Sequence, residues 1–143
     1  MASSSWTPVG AAVDPSAVLT LIAVQLRLRA GADPGAFPPW IDRICPELAR
    51  TPDLVGYALR LTGGVLRVVS AWSRRASLTA FERGPLHTAA KEELAALLHP
   101  PAVAVWRASG SDLPPAWGDV RLRLAAADRR TRTRLTSSTH LGT

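Results

Sequence analysis

The chain has 143 residues, enough for one domain that buries roughly two-thirds of its unfolded surface. A hydrophobic fraction of 47% excludes a disordered chain, and a single cysteine, Cys45, excludes an internal disulfide or a cysteine-rich zinc cluster. The net charge of +6 would suit nucleic acid, but +4 of it falls in residues 119–143, where Arg121, Arg123, Arg129, Arg130, Arg132 and Arg134 meet only Asp119 and Asp128.

Residues 1–16 are rich in Ser, Pro and Gly and read as a flexible N-terminus. They lack a basic region followed by an apolar run, which argues against a secretory signal. From Val18 to Arg29 the chain reads as a long strand with Val18, Thr20, Ile22, Val24, Leu26 and Leu28 on one face. The opposite face grows polar toward Gln25 and Arg27. The apolar stretch Ala17 to Leu28 is interrupted by Thr20, Gln25 and Arg27 and falls short of the ~20 residues that span a membrane. A cytoplasmic protein without membrane contact is expected.

Asp33-Pro34 supplies a helix cap followed by proline, and Phe37, Ile41, Ile44 and Leu48 follow at helical spacing. Pro46 is expected to kink or break that helix. Leu54–Leu61 and Val65–Trp72 are two strands joined across Gly63-Gly64, a hairpin signal. A short helical run from Ser77 to Arg83 is interrupted by Gly84-Pro85. Helix resumes to Leu98, with Leu86, Ala90, Leu94 and Leu97 on one stripe. Ala102–Arg107 is a fourth strand. Residues 111–143 read as a C-terminal arm and a solvated arginine-rich tail, with no aromatic in the arginine run to stack a base, so nucleic acid is not favoured as a partner.

The order β-α-β-β-α-β over residues 17–110 predicts an α+β fold of ferredoxin-like type, a four-stranded antiparallel sheet with both helices on one face. Its other face is left bare and apolar. Two sheets packed face to face in a homodimer, a dimeric α+β barrel, would cover it. The space between sheet and helices would then form one apolar pocket per subunit.

The run Val68-Val-Ser-Ala-Trp72, then Leu78-Thr-Ala-Phe81, then Gly84-Pro85-Leu-His87 resembles the dimeric α+β barrel superfamily that includes antibiotic-biosynthesis monooxygenase-like proteins. The resemblance covers about two-thirds of the chain, is more specific for fold than for function, and implies a histidine near position 87 in the pocket. That superfamily includes cofactor-free oxygenases, haem-dependent enzymes, isomerases and cyclases, so fold alone does not choose among them.

His87 is the candidate general base, since histidine exchanges protons near neutral pH. The plainer alternative is a histidine that packs at the helix break. Tyr57, with Val55 and Leu59 as neighbours on its strand, is the second catalytic candidate, through a phenol that can polarise a substrate oxygen. Trp72, Ser70, Gln25, Phe81 and Trp106 form the candidate substrate-contacting set, although Trp72 and Trp106 also suit plain packing. Trp6 and Trp117 lie outside the predicted elements, where a tryptophan normally covers a surface. No metal motif, phosphate loop or nucleophile elbow is present. No cofactor is expected; haem stays open, because His87 alone could ligate iron. The resemblance and the pocket together imply a hydrophobic small-molecule substrate. A cofactor-independent monooxygenase of polyketide-type antibiotic biosynthesis is the first expectation. A cofactor-free cyclase or pericyclase is the second, and a non-enzymatic ligand-binding protein the third.

Overall fold

The computed structural model describes residues 2–3 and 5–141, with side chains over 5–133. The chain runs β1 (Ala2–Ser3), β2 (Thr7–Pro8), β3 (Val18–Arg27), α1 (Phe37–Ala49), β4 (Leu54–Thr62), β5 (Val65–Trp72), α2 (Arg75–Glu82), α3 (Pro85–Leu94), β6 (Ala102–Ser109) and α4 (Trp117–Leu141). The sheet is antiparallel, ordered β1-β4-β5-β3-β6, with β2 also on the outer edge of β4. Strands β6, β3, β5 and β4 are the expected ferredoxin-like four.

The local signals act as expected at several points. Asp33 Oδ1 accepts a hydrogen bond from the Gly35 N–H at 2.9 Å and starts a 3-10 turn leading into α1. Gly63 takes a left-handed φ of 60°, and the hairpin register follows from that turn: Thr62 faces Val65, Leu61 faces Leu66, and Arg60 faces Arg67. Period-two alternation then sorts β3. Its even residues Ile22, Val24 and Leu26 join the core beneath α1, α2 and α3, and its odd residues Leu19, Leu21 and Ala23 face the other way.

Several expectations are corrected. The first 16 residues are not wholly loose: two short segments pair with β4, satisfying backbone groups of an otherwise open edge. Helix α1 runs without interruption through Pro46, which is exposed, as is Asp42 at the carbonyl it leaves unpaired. Val55 does not share a face with Tyr57. A register shift between Leu54 and Gly56 puts Val55 among the residues packed on the opposite side.

The largest correction concerns the arginine-rich C-terminus. Residues 117–141 are helical, and Val120, Leu124 and Ala127 are 0%, 0% and 4% exposed. They lie against Ala23, Ala58, Val69, Ala102 and Ala104 of the sheet. Four of those five are alanines, small enough for the helix to approach closely. Arg121, Arg123, Arg129, Arg130 and Arg132 are exposed and flank this contact. Arg134, the last of them, falls outside the described side chains. The expectation of a partner sheet rested on this face being bare; within the single chain, α4 takes that place.

Candidate functional site

The sheet divides the seven candidate residues. Tyr57, Ser70 and Trp72 point toward α1–α3, where Phe81 of α2 and His87 of α3 meet them. Gln25 and Trp106 point to the α4 side and cannot contact the same ligand as the other five.

On the helix side the residues form a connected line. Ser70 is the cross-strand partner of Tyr57. Trp72 Nε1 donates to Ser70 Oγ at 2.9 Å, which satisfies both groups in a buried setting. The Trp72 ring centroid lies 5.7 Å from that of Phe81, and Phe81 lies 6.0 Å from His87 in an edge-to-face arrangement. The Gly84-Pro85 break starts α3 with Pro85 at its first position, placing His87 third, within the first turn of that helix.

Burial lowers the His87 pKa below the ordinary histidine value, helped by Lys91 and opposed by Glu82. The imidazole is thereby held neutral near pH 7. Its Nδ1 is buried, with the imidazole in hydrogen-bonding reach of the Glu82 backbone, and Nε1 of Trp40 in the helix-side core is buried without a partner. Tyr57 is 7% exposed. Burial, and then the neighbouring Cys45, raise its pKa, so the phenol stays protonated. The Cys45 thiol is raised as well, by burial first, which makes it a packing group rather than a nucleophile.

On the helix side the space expected for a pocket is closely packed. Phe37, Leu66 and Trp72 fill it at 0%, 0% and 1% exposure. Large side chains that the sequence offered as pocket walls instead meet one another. Two concavities lie elsewhere. One of about 460 Å³ runs along α4 beside Ala126, Arg129, Arg130 and Thr133. Another of about 360 Å³ opens on the α4 side of the sheet, lined by Ser5, Trp6, Ala58, Arg60, Pro114, Pro115 and Trp117.

On that same side Gln25 is 7% exposed and accepts a hydrogen bond from Arg67 Nε at 2.9 Å. Trp106 packs beneath the Arg123 guanidinium, 4.6 Å from the ring centroid. Arg60, Arg67, Trp6 and Trp117 belong to this second surface and were not in the candidate set. The hairpin register carries the signal that finds two of them, because Arg60 and Arg67 are equidistant from Gly63-Gly64. Among the described residues, no three His, Cys, Asp or Glu side chains are grouped to hold a metal ion, and no helix is long and apolar enough to cross a membrane.

Neither a protein-family model nor a curated protein matches this chain. Solved structures do. NE2512, a protein of unknown function from Nitrosomonas europaea, superposes with a TM-score of 0.59 at 19% identity, over 70% of this chain and 98% of that one. SnoaB, a cofactor-independent oxygenase from Streptomyces nogalater, superposes at 0.53 and 16% identity, over 69% and 99%. An antibiotic biosynthesis monooxygenase superposes at 0.54 and 18%, over 62% and 95%. The chain has the fold of antibiotic biosynthesis monooxygenase-like proteins. At such identities the likeness speaks for fold alone. These structures match along nearly their whole length, yet about three-tenths of this chain has no counterpart in the first two.

Proposed function

We propose that this chain is a small-molecule enzyme of the cofactor-independent oxygenase type, acting on an electron-rich enol or phenol of polyketide character, with His87 as general base. The observation that carries the reading is the half-buried imidazole of His87 at the start of α3. Burial favours its neutral form, and it closes an aromatic line formed with Phe81 and Trp72. A neutral imidazole beside an aromatic wall can take a proton from an acidic C–H or O–H. The carbanion formed would pass electrons to O₂ and form a C–O bond. Loss of water from the resulting peroxide turns a CH₂ into C=O, so one oxygen atom enters the product and the other leaves as water. Tyr57, kept protonated, would donate a hydrogen bond to the substrate oxygen on which charge develops. The shared fold with a cofactor-independent oxygenase supports this reading.

The test is oxygen uptake by the purified protein with a panel of anthrone- and naphthol-type substrates, after a visible spectrum of the protein alone. The expected protein is colourless, consumes O₂ with at least one substrate, and loses roughly 10²–10⁴ of its rate as His87→Ala. A loss under tenfold on a working substrate would transfer the site to shape-selective cyclisation. A Soret band near 400 nm would overturn the cofactor-free reading, and absence of turnover across the panel would leave a ligand-binding protein.

A further inference from the structure

The α4 side of the sheet carries four arginines that have no carboxylate partner among the described residues. Arg60 and Arg67 stand directly opposite each other on β4 and β5. Arg67 is tied to Gln25, and Arg27 lies two residues further along the same face of β3. Arg121 follows Val120 in α4, and Arg121, Arg27 and Arg60 all act on Arg67 as like charges. The nearest carboxylates of α4 are already engaged: Asp119 with Arg123 at 2.9 Å and Asp128 with Arg132 at 3.1 Å. Like charges directly across an antiparallel pair are destabilising. Such a cluster is relieved by an anion.

Beside this charge lies a walled space. The cavity of about 360 Å³ has Trp6 and Trp117 among its walls, Pro114, Pro115 and Ala58 among its lining, and Arg60 as its charged member. That volume falls within the range of small-molecule sites, about 300–1,000 Å³. The Arg60 guanidinium stacks 4.8 Å from the Trp117 ring centroid, which orients its donors. The Trp6 indole lies on the backbone of Gly56, where an added Cβ would come within 2.5 Å of the ring. Glycine at this strand position is what lets that wall exist.

We propose that this cleft binds an organic anion with a planar apolar body, in its simplest form an aromatic carboxylate, with the body between Trp6 and Trp117 and the charge on Arg60 and Arg67. A bare inorganic anion would use the arginines and leave the aromatic walls unexplained. The site is separate from His87, with the sheet between them, and stands whether or not His87 is catalytic.

Titration of the full chain with naphthalene-2-carboxylate, followed by calorimetry and tryptophan quenching, tests this. The uncharged isostere 2-naphthamide and inorganic phosphate serve as the two comparison probes. Saturable binding of the carboxylate is expected, with each comparison probe at least tenfold weaker. Arg60→Gln is expected to lose at least tenfold in affinity for the carboxylate, while Arg123→Gln, whose arginine already pairs with Asp119, keeps it within twofold. Gly56→Ala, which displaces Trp6, is expected to weaken both naphthalene probes and leave phosphate unchanged. Arg60→Lys restores part of the affinity if charge is what was lost, and serves in place of Arg60→Gln should that variant not fold. Equal binding of carboxylate and amide, phosphate binding as tight as the carboxylate, or equal losses in Arg60→Gln and Arg123→Gln would each overturn the proposal.

Discussion

Two leucines two residues apart in α4 provide a matched test of whether the arginine-rich helix is a structural layer. Leu124 is 0% exposed against the sheet, whereas Leu122 is 72% exposed. Both have the same side chain, helix and backbone propensity, so their alanine variants differ only in what the side chain buries. Truncating a buried leucine to alanine costs about 2–5 kcal/mol, the transfer loss plus the cavity left behind. Truncating an exposed one stays within about 0.5 kcal/mol. For a chain of this size about 2–4 °C of Tm accompanies each kcal/mol, so Leu124→Ala should melt roughly 5–15 °C lower and Leu122→Ala nearly unchanged. Urea unfolding followed by far-ultraviolet circular dichroism gives the free energies, and an unchanged m-value certifies that the folded and unfolded states are otherwise alike. If the two variants unfold together, within about 1 kcal/mol of the parent, α4 is not docked on Ala23, Ala58, Val69, Ala102 and Ala104, and the second face of the sheet is covered by something else.

Three further outcomes are expected. Ser70→Ala leaves Trp72 Nε1 buried without its acceptor and should lower stability by about 1–3 kcal/mol in chemical denaturation. Asp53 combines a φ of 64° with hydrogen bonds from Ser77 at 2.5 Å and Ser73 at 3.5 Å. Asp53→Ala should therefore cost more than Asp53→Gly, since glycine loses the bonds but keeps the backbone conformation; equal losses by urea titration would refute a backbone contribution. The His87 pKa is lowered on folding, so the unfolded chain binds the proton more readily below about pH 6.5. Its contribution to stability is full above that pH and declines as pH falls toward the folded-state pKa. The difference in Tm between parent and His87→Gln should shrink or reverse across that window and be flat above it.

Much of the ferredoxin-like core was legible because its signals are local. Period two in Val18–Leu28, the Gly63-Gly64 turn, and Leu86, Ala90 and Leu94 at helical spacing each follow from the geometry of one element. Even the line Ser70–Trp72–Phe81–His87 was foreshadowed, since alternation puts Ser70 and Trp72 on one strand face. Helix α4 was missed for a physical reason. Its fully buried apolar stripe among the described residues is Val120, Leu124 and Ala127, among arginines that dominate the composition, and a narrow stripe suffices because the opposing sheet face is largely alanine. Where a pocket was expected, two residues named as its walls, Trp72 and Phe81, meet each other. Phe37, Leu66 and Trp72 close the space that a chain with smaller residues there would leave open.

The division of the candidate residues between the two faces carries one more consequence. Gln25 stands with Arg27 on the more polar face of β3, and a polar group needs a partner when buried. Its partner is Arg67, which is itself held among three other arginines. Without Gln25, Arg67 would keep its like-charged neighbours and lose the acceptor that fixes its Nε. Gln25→Leu, which removes only the acceptor, should free the Arg67 guanidinium to turn away from the sheet, toward solvent. If the cleft beside Arg60 takes an anion, that variant keeps the total charge yet weakens binding, because affinity depends on where the donors point and not on how many there are. If binding follows net charge alone, Gln25→Leu is silent and the arginine cluster acts only as a diffuse positive field.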